Sequence, residues 1–321
     1  MKKGENMKRG EREQVCLETV KKIVFYNNGK IRCDLDGKSY LDVSDEEFFK
    51  FPIWYFDFPN NAFGLSEEDR SEVANLLRTA QPNEKASEFP DFVFENGFIE
   101  HFQITASKET KKGSQQIIKE NDFSRRAEKN EKIFKEECKN NPDFVNVRSV
   151  TTAMNFPDYS GKNLESSFKR NFEHHIQSLE KYNGSKQIGV FMVENYVYAV
   201  NMYENIFADV KENVSYGDLR RPQEFSCYRL SRDKNLLNYI YSYRDLIRYI
   251  IFVYEEYTRR EKAKGFEGLF GDLVRKIEVI KVENIPYMLK LLPWDFDICP
   301  LFGGAVRSIH SISSKKNEAL Q

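Results

Sequence analysis

The stretch Phe89-Pro90-Asp91-Phe92-Val93-Phe94-Glu95-Asn96-Gly97-Phe98-Ile99-Glu100-His101-Phe102-Gln103-Ile104-Thr105-Ala106-Ser107 decides how the chain is read. Two short apolar runs flank Asn96-Gly97, one of the strongest local signals for a β-hairpin. Side chains alternate faces along a strand. One face of the second run therefore carries Phe98, Glu100, Phe102 and Ile104, and the other carries Ile99, His101, Gln103 and Thr105. The first face suits a packed helix. The second is polar enough to line a cleft, and Asp91 opens the partner strand just after Pro90.

Outward from the hairpin, helices and strands alternate, which predicts an α/β fold with a central mixed sheet flanked by helices. Ser66-Glu67-Glu68-Asp69 approximates a capping box and opens a helix with Val73, Leu76, Leu77 and Ala80 on its apolar stripe, stopped by Pro82. Residues 115–140 read as a charged helix. A strand follows near VNVRSV, then a helix over 164–182 with Phe168, Phe172, Ile176 and Leu179 on one face and Gly184 as its cap. QIGVFMVE is a continuous apolar strand of the kind buried on both faces. LIRYIIFVY and KIEVIKVE are strand-like, and IPYMLKLLP is helical. Before the hairpin, KKIVFYNNGKIRCDLDGKSYLDV reads as short strands joined at Asn27-Asn28-Gly29 and Asp36-Gly37, and FKFPIWYFDFPNNAFGL as a packed irregular segment. The expected organisation is a flexible stretch 1–15, a small β-rich region 16–65, an α/β domain 66–310 and a polar tail 311–321.

Composition narrows the function classes. The 321 residues are 40% hydrophobic and 31% charged, enough apolar content for a sizeable core. The formal net charge of −1 excludes a global basic field, so any nucleic-acid contact must use a local patch. Five scattered cysteines show neither zinc-ligand spacing nor a disulfide framework, which points to a reducing, cytoplasmic setting. The basic start lacks the apolar run of a secretory signal, and no window of about 18 apolar residues offers a membrane span. Two segments concentrate cations: Lys108, Lys111 and Lys112 after the hairpin, and Arg220, Arg221, Arg229 and Arg232 with Phe225 and Tyr228. Arginines with aromatics suit a phosphate backbone and stacked bases, and equally an ordinary packed loop.

Pro90-Asp91, the hairpin, and a second strand with acidic or amide residues about ten positions on resemble the PD-(D/E)xK nuclease superfamily. The preceding helix carries Glu72, where that superfamily often places another acid, and the helix–strand–hairpin–helix order agrees with its core. The resemblance implies Mg²⁺- or Mn²⁺-dependent hydrolysis of phosphodiester bonds, in DNA ahead of RNA, in a restriction or defence setting, with a homodimer left open. It assigns Asp91, Glu100 and Glu72 to the metal, and Asp91, Glu100, Gln103, Glu72 and His101 to catalysis. The lysine two residues after the second acid is absent. That position is Phe102 counting from Glu100, or Thr105 counting from Gln103. The alternative is a nuclease-fold protein that binds nucleic acid or a protein partner without cutting. Residue by residue, other readings stand beside these: Asp91 as a strand terminator, Glu100 paired with Lys108 or Arg126, Glu72 on a solvated helix edge, and His101 as a hydrogen-bonded cleft residue. His174 and His175 diverge on their helix and do not share a metal.

Overall fold

The computed structural model describes residues 10–25, 31–33, 39–41, 65–85, 88–111, 113–140, 148–195, 200–205, 224–225, 227–259, 270–291, 295–300 and 304–311. In chain order the elements are α1 (Glu11–Phe25), β1 (Ile31–Cys33), β2 (Ser39–Leu41), α2 (Glu67–Thr79), β3 (Gln81–Pro82), β4 (Phe92–Phe94), β5 (Gly97–Ile104), β6 (Glu109–Thr110), β7 (Gly113–Ser114), α3 (Gln115–Asn140), β8 (Arg148–Asn155), α4 (Gly161–Lys181), β9 (Ile188–Asn195), β10 (Val200–Asn205), β11 (Glu224–Phe225), α5 (Lys234–Tyr241), β12 (Tyr249–Arg259), β13 (Phe270–Lys281), α6 (Ile285–Leu291), β14 (Asp295–Pro300) and β15 (Gly304–Ser311). They fall into two compact units. The larger comprises 7–106 and 160–300, and the smaller comprises 1–6, 107–159 and 301–321. In the smaller unit β8 pairs antiparallel with β15 over eight residue pairs, and Asn130 of α3 bonds the Thr152 hydroxyl at 2.9 Å.

The larger unit is an α/β fold built on a mixed six-stranded sheet of order β13-β12-β9-β5-β4-β3, flanked by helices. β9 lies parallel to both β5 and β12, and the remaining pairings are antiparallel. The parity read from the sequence holds. Phe102 meets Phe168, Phe172 and Phe191 edge-to-face, while Ile99, Val190, Met192, Tyr249, Ile251 and Val253 join the core built with α1 and α2. So α4 covers one face of the sheet, and α1 with α2 covers the other. β9 is buried on both, which explains its unbroken apolar run.

The local signals account for these elements. At α2 the Ser66 hydroxyl accepts from the Asp69 N–H at 3.2 Å, and the Asp69 carboxylate accepts from the Ser66 N–H at 3.1 Å. That reciprocal capping satisfies two of the donors a helix start leaves open. In α4 the expected residues Phe168, Phe172, Ile176 and Leu179 are all buried. The hairpin loop is Glu95-Asn96, one residue earlier than the Asn96-Gly97 signal suggests, because Phe94 pairs with Gly97. Gly97 instead opens β5, where a Cβ would run into the Ile188 carbonyl oxygen of β9. Glycine is required there for close approach of two backbones.

Three expectations need correction. Lys21–Phe25, read as a strand, are the last residues of α1. Cys16, Leu17, Val20 and Val24 bury at helical spacing against the sheet, and that packing overrides the β-branched run Ile23-Val24. The helix also begins at Glu11, so residues 11–15 are ordered rather than frayed. Gly184 does not cap α4: the chain leaves the helix at Tyr182 in an extended conformation. Strands β1 and β2 pair as expected, but the turn residues 27–29 and 36–37, the aromatic segment 49–65 except for Leu65, and the tail 312–321 lie outside the described residues. Among the described residues no helix is long and apolar enough to cross a membrane.

Phe172 is fully buried and touches the rings of Phe168, Phe191, Tyr239 and Tyr243. Phe172→Ala should lower unfolding stability by about 3–5 kcal/mol, measured by urea denaturation. Ser66→Ala should cost about 1 kcal/mol through the lost cap.

Candidate functional site

Asp91 and Glu100 stand where the β4–β5 ladder stops. The last backbone pairs are Phe94–Gly97, Val93–Phe98 and Phe92–Ile99, and Asp91 with Glu100 would be next. There the side chains take over from the backbone. The Glu100 Oε2 accepts the Asp91 N–H at 2.9 Å, and the Asp91 Oδ2 accepts the His101 N–H at 2.8 Å. Pro90 has no N–H with which to continue a ladder. This is one answer to why carboxylates occupy positions where valine would pack: they satisfy backbone donors at a hairpin's frayed end.

The two faces of β5 carry different partners. On the α4 face, Glu100 Oε1 lies 2.6 Å from His175 Nδ1, and the His175 ring stacks on Phe102 at 5.0 Å. On the α1 face, Glu194 of β9 gathers its neighbours. His101 Nε2 lies 3.2 Å from Glu194 Oε2, and Gln103 Nε2 donates to the same oxygen at 2.7 Å. Arg12 of α1 stands 3.7 Å from that oxygen, and Arg275 of β13 stands 3.8 Å from Oε1. Arg275 also reaches Glu255 of β12 at 3.4 Å. The result is a polar row across four strands, Gln103, Glu194, Glu255 and Arg275, toward the carboxyl ends of the parallel strands and beneath the first turns of α1. Crevices at the carboxyl ends of parallel strands are where open α/β sheets bind ligands.

Electrostatics follow from this burial. Desolvation, reinforced by the charge of Glu100, pushes Asp91 from its ordinary 3.8 up to about 7, and Glu13 of α1 adds to the effect. Desolvation raises Glu100 from 4.5 to about 7 against the bond from Asp91. His175 is driven down from 6.5 to about 4 by burial, so its contact with Glu100 is a hydrogen bond between an uncharged imidazole and the carboxyl rather than an ion pair. Burial also works against charge at Glu194. The bond from His101, that residue's charge, the bond from Gln103 and the field of Arg12 outweigh it, so the carboxyl is held below its usual range. Burial, with Glu194 nearby, lifts the Cys16 thiol well above its ordinary value.

Of the residues expected from the sequence, Asp91 and Glu100 meet at the end of the hairpin, whereas His101 and Gln103 lie on the other face of β5, which α1 covers and which is therefore not the open cleft expected. Glu72 does not join them. It accepts from the Tyr249 hydroxyl at 2.5 Å and pairs with Arg248 at 2.7 Å. Tyr249 pairs with Val190, and Val190 with Ile99, so Glu72 is anchored two strands away, roughly 10 Å across the sheet. Arg229, expected on a nucleic-acid surface, is buried. Its Nε bonds Glu278 at 2.7 Å and its guanidinium lies 4.6 Å from the centre of the Tyr254 ring. Burial and pairing remove it from any phosphate-facing surface. Arg232 is half-buried in a short 3₁₀ turn, Lys108 and Lys111 are exposed in the smaller unit, and Lys112, Arg220 and Arg221 lie outside the described residues.

The residues missed are Arg12, Glu13, Cys16, Glu194, Glu255 and Arg275. Glu194 was readable as an acid inside an otherwise apolar strand. The others needed the docking of α1 and the β12–β13 register. Among the described residues, Cys16, His101 and Glu194 form a buried group whose ligand atoms lie within 4.8 Å of one another and could hold a metal ion. Comparison of the chain with family models, curated proteins and solved structures found no match.

The pH dependence of stability has a definite sign in chelator-treated protein. A folded value of about 7 at Asp91 means the fold prefers the protonated carboxyl. Its contribution is full below 3.8 and lost as pH rises through about 7. Glu100 behaves alike between 4.5 and about 7. His175 opposes both, contributing above 6.5 and losing that contribution as pH falls through about 4. Asp91→Asn keeps an acceptor for the His101 N–H but cannot ionise. Relative to wild type it should gain on the order of 2 kcal/mol between acid and neutral pH, read by urea denaturation across that range.

Proposed function

We propose that the larger unit is a nuclease-type phosphodiester hydrolase dependent on a divalent cation, Mg²⁺ or Mn²⁺, acting on nucleic acid and on DNA ahead of RNA. The observation that carries this reading is the clustering of Asp91 and Glu100, both displaced to about 7, with Glu13 close enough to raise them further. Acids raised this far by burial cluster at functional sites, and a divalent cation would balance their charge. The order α2, β3–β4–β5, α4, then β9 parallel to β5, with β6, β7, α3 and β8 inserted between β5 and α4, supports the same reading, since apart from that insertion it resembles the core order of the PD-(D/E)xK class.

The donor set fits a hard cation. Asp91 and Glu100 offer only oxygen. These two residues would hold the ion, with the charge of Glu13 on α1 felt at both. When bound, the ion supplies charge neutralisation at the phosphate and a more acidic water. The chain's own residues do the rest. The His101 N–H fixes the orientation of Asp91, and the clamp between Asp91 and Glu100 holds both carboxyls at one end of the hairpin. Phe102 cannot supply the cation of the superfamily motif, because its ring is buried among Phe168, Phe172 and His175. Arg12, about one-third exposed beside Glu194, is the cation placed to meet a phosphate instead.

A second reading, binding without cleavage, is favoured by that same Phe102 and by the use of the Asp91 and Glu100 oxygens as backbone acceptors. One set of experiments separates the two. Asp91→Ala should abolish Mg²⁺- or Mn²⁺-dependent cleavage of DNA while a cooperative unfolding transition remains. Millimolar Mg²⁺ or Mn²⁺ should raise the wild-type Tm by mass action and leave that of Asp91→Ala unchanged. Full cleavage by the variant removes Asp91 from the site. A wild-type Tm indifferent to both ions, with no cleavage, selects the binding reading.

A further inference from the structure

Three elements that are distant in sequence bring unlike donor atoms to one point. Cys16 comes from α1, His101 from β5 and Glu194 from β9, and they are 1%, 6% and 3% exposed. One sulfur, one nitrogen and one oxygen atom lie within 4.8 Å of one another. This set differs in kind from the all-oxygen group at Asp91. Hard ions such as Mg²⁺ do not select thiolate or imidazole, whereas zinc-class ions take sulfur, nitrogen and carboxylate oxygen in a tetrahedral arrangement. The His101 Nε2 to Glu194 Oε2 separation of 3.2 Å is close to the edge of a tetrahedron with metal–ligand bonds of about 2.0–2.1 Å.

Glu13 precedes Cys16 by three residues, so the two lie on the same side of α1, and its charge is felt at the Cys16 sulfur.

We propose that Cys16, His101 and Glu194 form a binding site for a zinc-class transition-metal ion, with a fourth coordination position left to water or an exogenous ligand. A thiolate and a carboxylate bring two negative charges to a divalent ion, so the first shell is neutral when filled. Arg12 and Arg275 remain outside it as partners of the Glu194 carboxylate. The ion ties the first turns of α1 to the two central strands. The site uses different donor atoms and a different class of metal from the hydrolysis reading, and does not depend on it.

The test uses the full chain, stripped by chelation under reducing conditions, with Co²⁺ as a spectroscopic probe and Zn²⁺ as competitor. Stoichiometric Co²⁺ should produce thiolate-to-cobalt charge-transfer absorption, and Zn²⁺ should abolish it while millimolar Mg²⁺ does not. Cys16→Ser should lose the absorption and Cys138→Ser should keep it. Zn²⁺ should raise the Tm of wild type and of Cys138→Ser, and leave that of Cys16→Ser and Glu194→Gln unchanged. Glu194→Gln keeps the side-chain size, so a cooperative unfolding transition in that variant shows that the fold survives. Absorption that persists in Cys16→Ser, or folded wild-type protein that gives none, overturns the site. An intact cobalt spectrum in a protein that cleaves no DNA supports this site and counts only against the hydrolysis reading.

Discussion

A carboxylate in the middle of a doubly covered sheet constrains everything near it. β9 is hydrogen-bonded to a strand on each side and packed on both faces, yet it carries Glu194 at 3% exposure. An uncompensated charge there would cost several kcal/mol. Compensation comes from four directions: His101 and Gln103 of β5, Arg12 of α1 and Arg275 of β13. Each of these fixes a structural choice. His101 and Gln103 reach Glu194 only in the observed register, because a slip of one residue would turn both toward α4. Arg12 reaches it only if the first turn of α1 docks over the carboxyl ends of the strands. Sheet register, helix docking and the chemistry of the polar row are thus one requirement.

Much of the fold was legible because its signals are local. The capping residues Ser66 and Asp69, the 3.6-residue spacing of Phe168, Phe172, Ile176 and Leu179, and the unbroken run in β9 each specify an element without reference to the rest of the chain. Strand parity also separated Glu100 from His101 and Gln103 correctly. What escaped was α1. Cys16, Leu17, Val20 and Val24 form a helical stripe, but the run Ile23-Val24-Phe25-Tyr26 reads locally as a strand, and only packing against the sheet decides between them. The same gap explains the choice of Glu72 as the helix acid. Which of two helices overhangs the polar row depends on pairings far apart in sequence, such as that of Gln103 with Glu194, 91 residues apart.

The hairpin end shows why a short acidic motif is ambiguous in sequence and less so in space. Asp91 and Glu100 each satisfy a backbone donor, a structural duty that a valine could not perform. They also sit together in a poorly solvated place with Glu13 near, a costly arrangement that structure alone does not require. An amide pair would satisfy the same donors without mutual repulsion. Two ionisable groups thus stand where neutral ones would suffice, and burial raises both of them.

Helix α1 sets two side chains three residues apart against the sheet. The charge of Glu13 is felt at Asp91 and Glu100, while Cys16 brings its sulfur to the imidazole of His101 and the carboxylate of Glu194. Position 102 faces α4 and lies within an aromatic cluster, so a lysine there would bury its ammonium away from the α1 face. On that face the guanidiniums of Arg12 and Arg275 already carry positive charge to the polar row. Their charge comes from a docked helix and from β13, so the compensation of Glu194 depends on α1 staying in place.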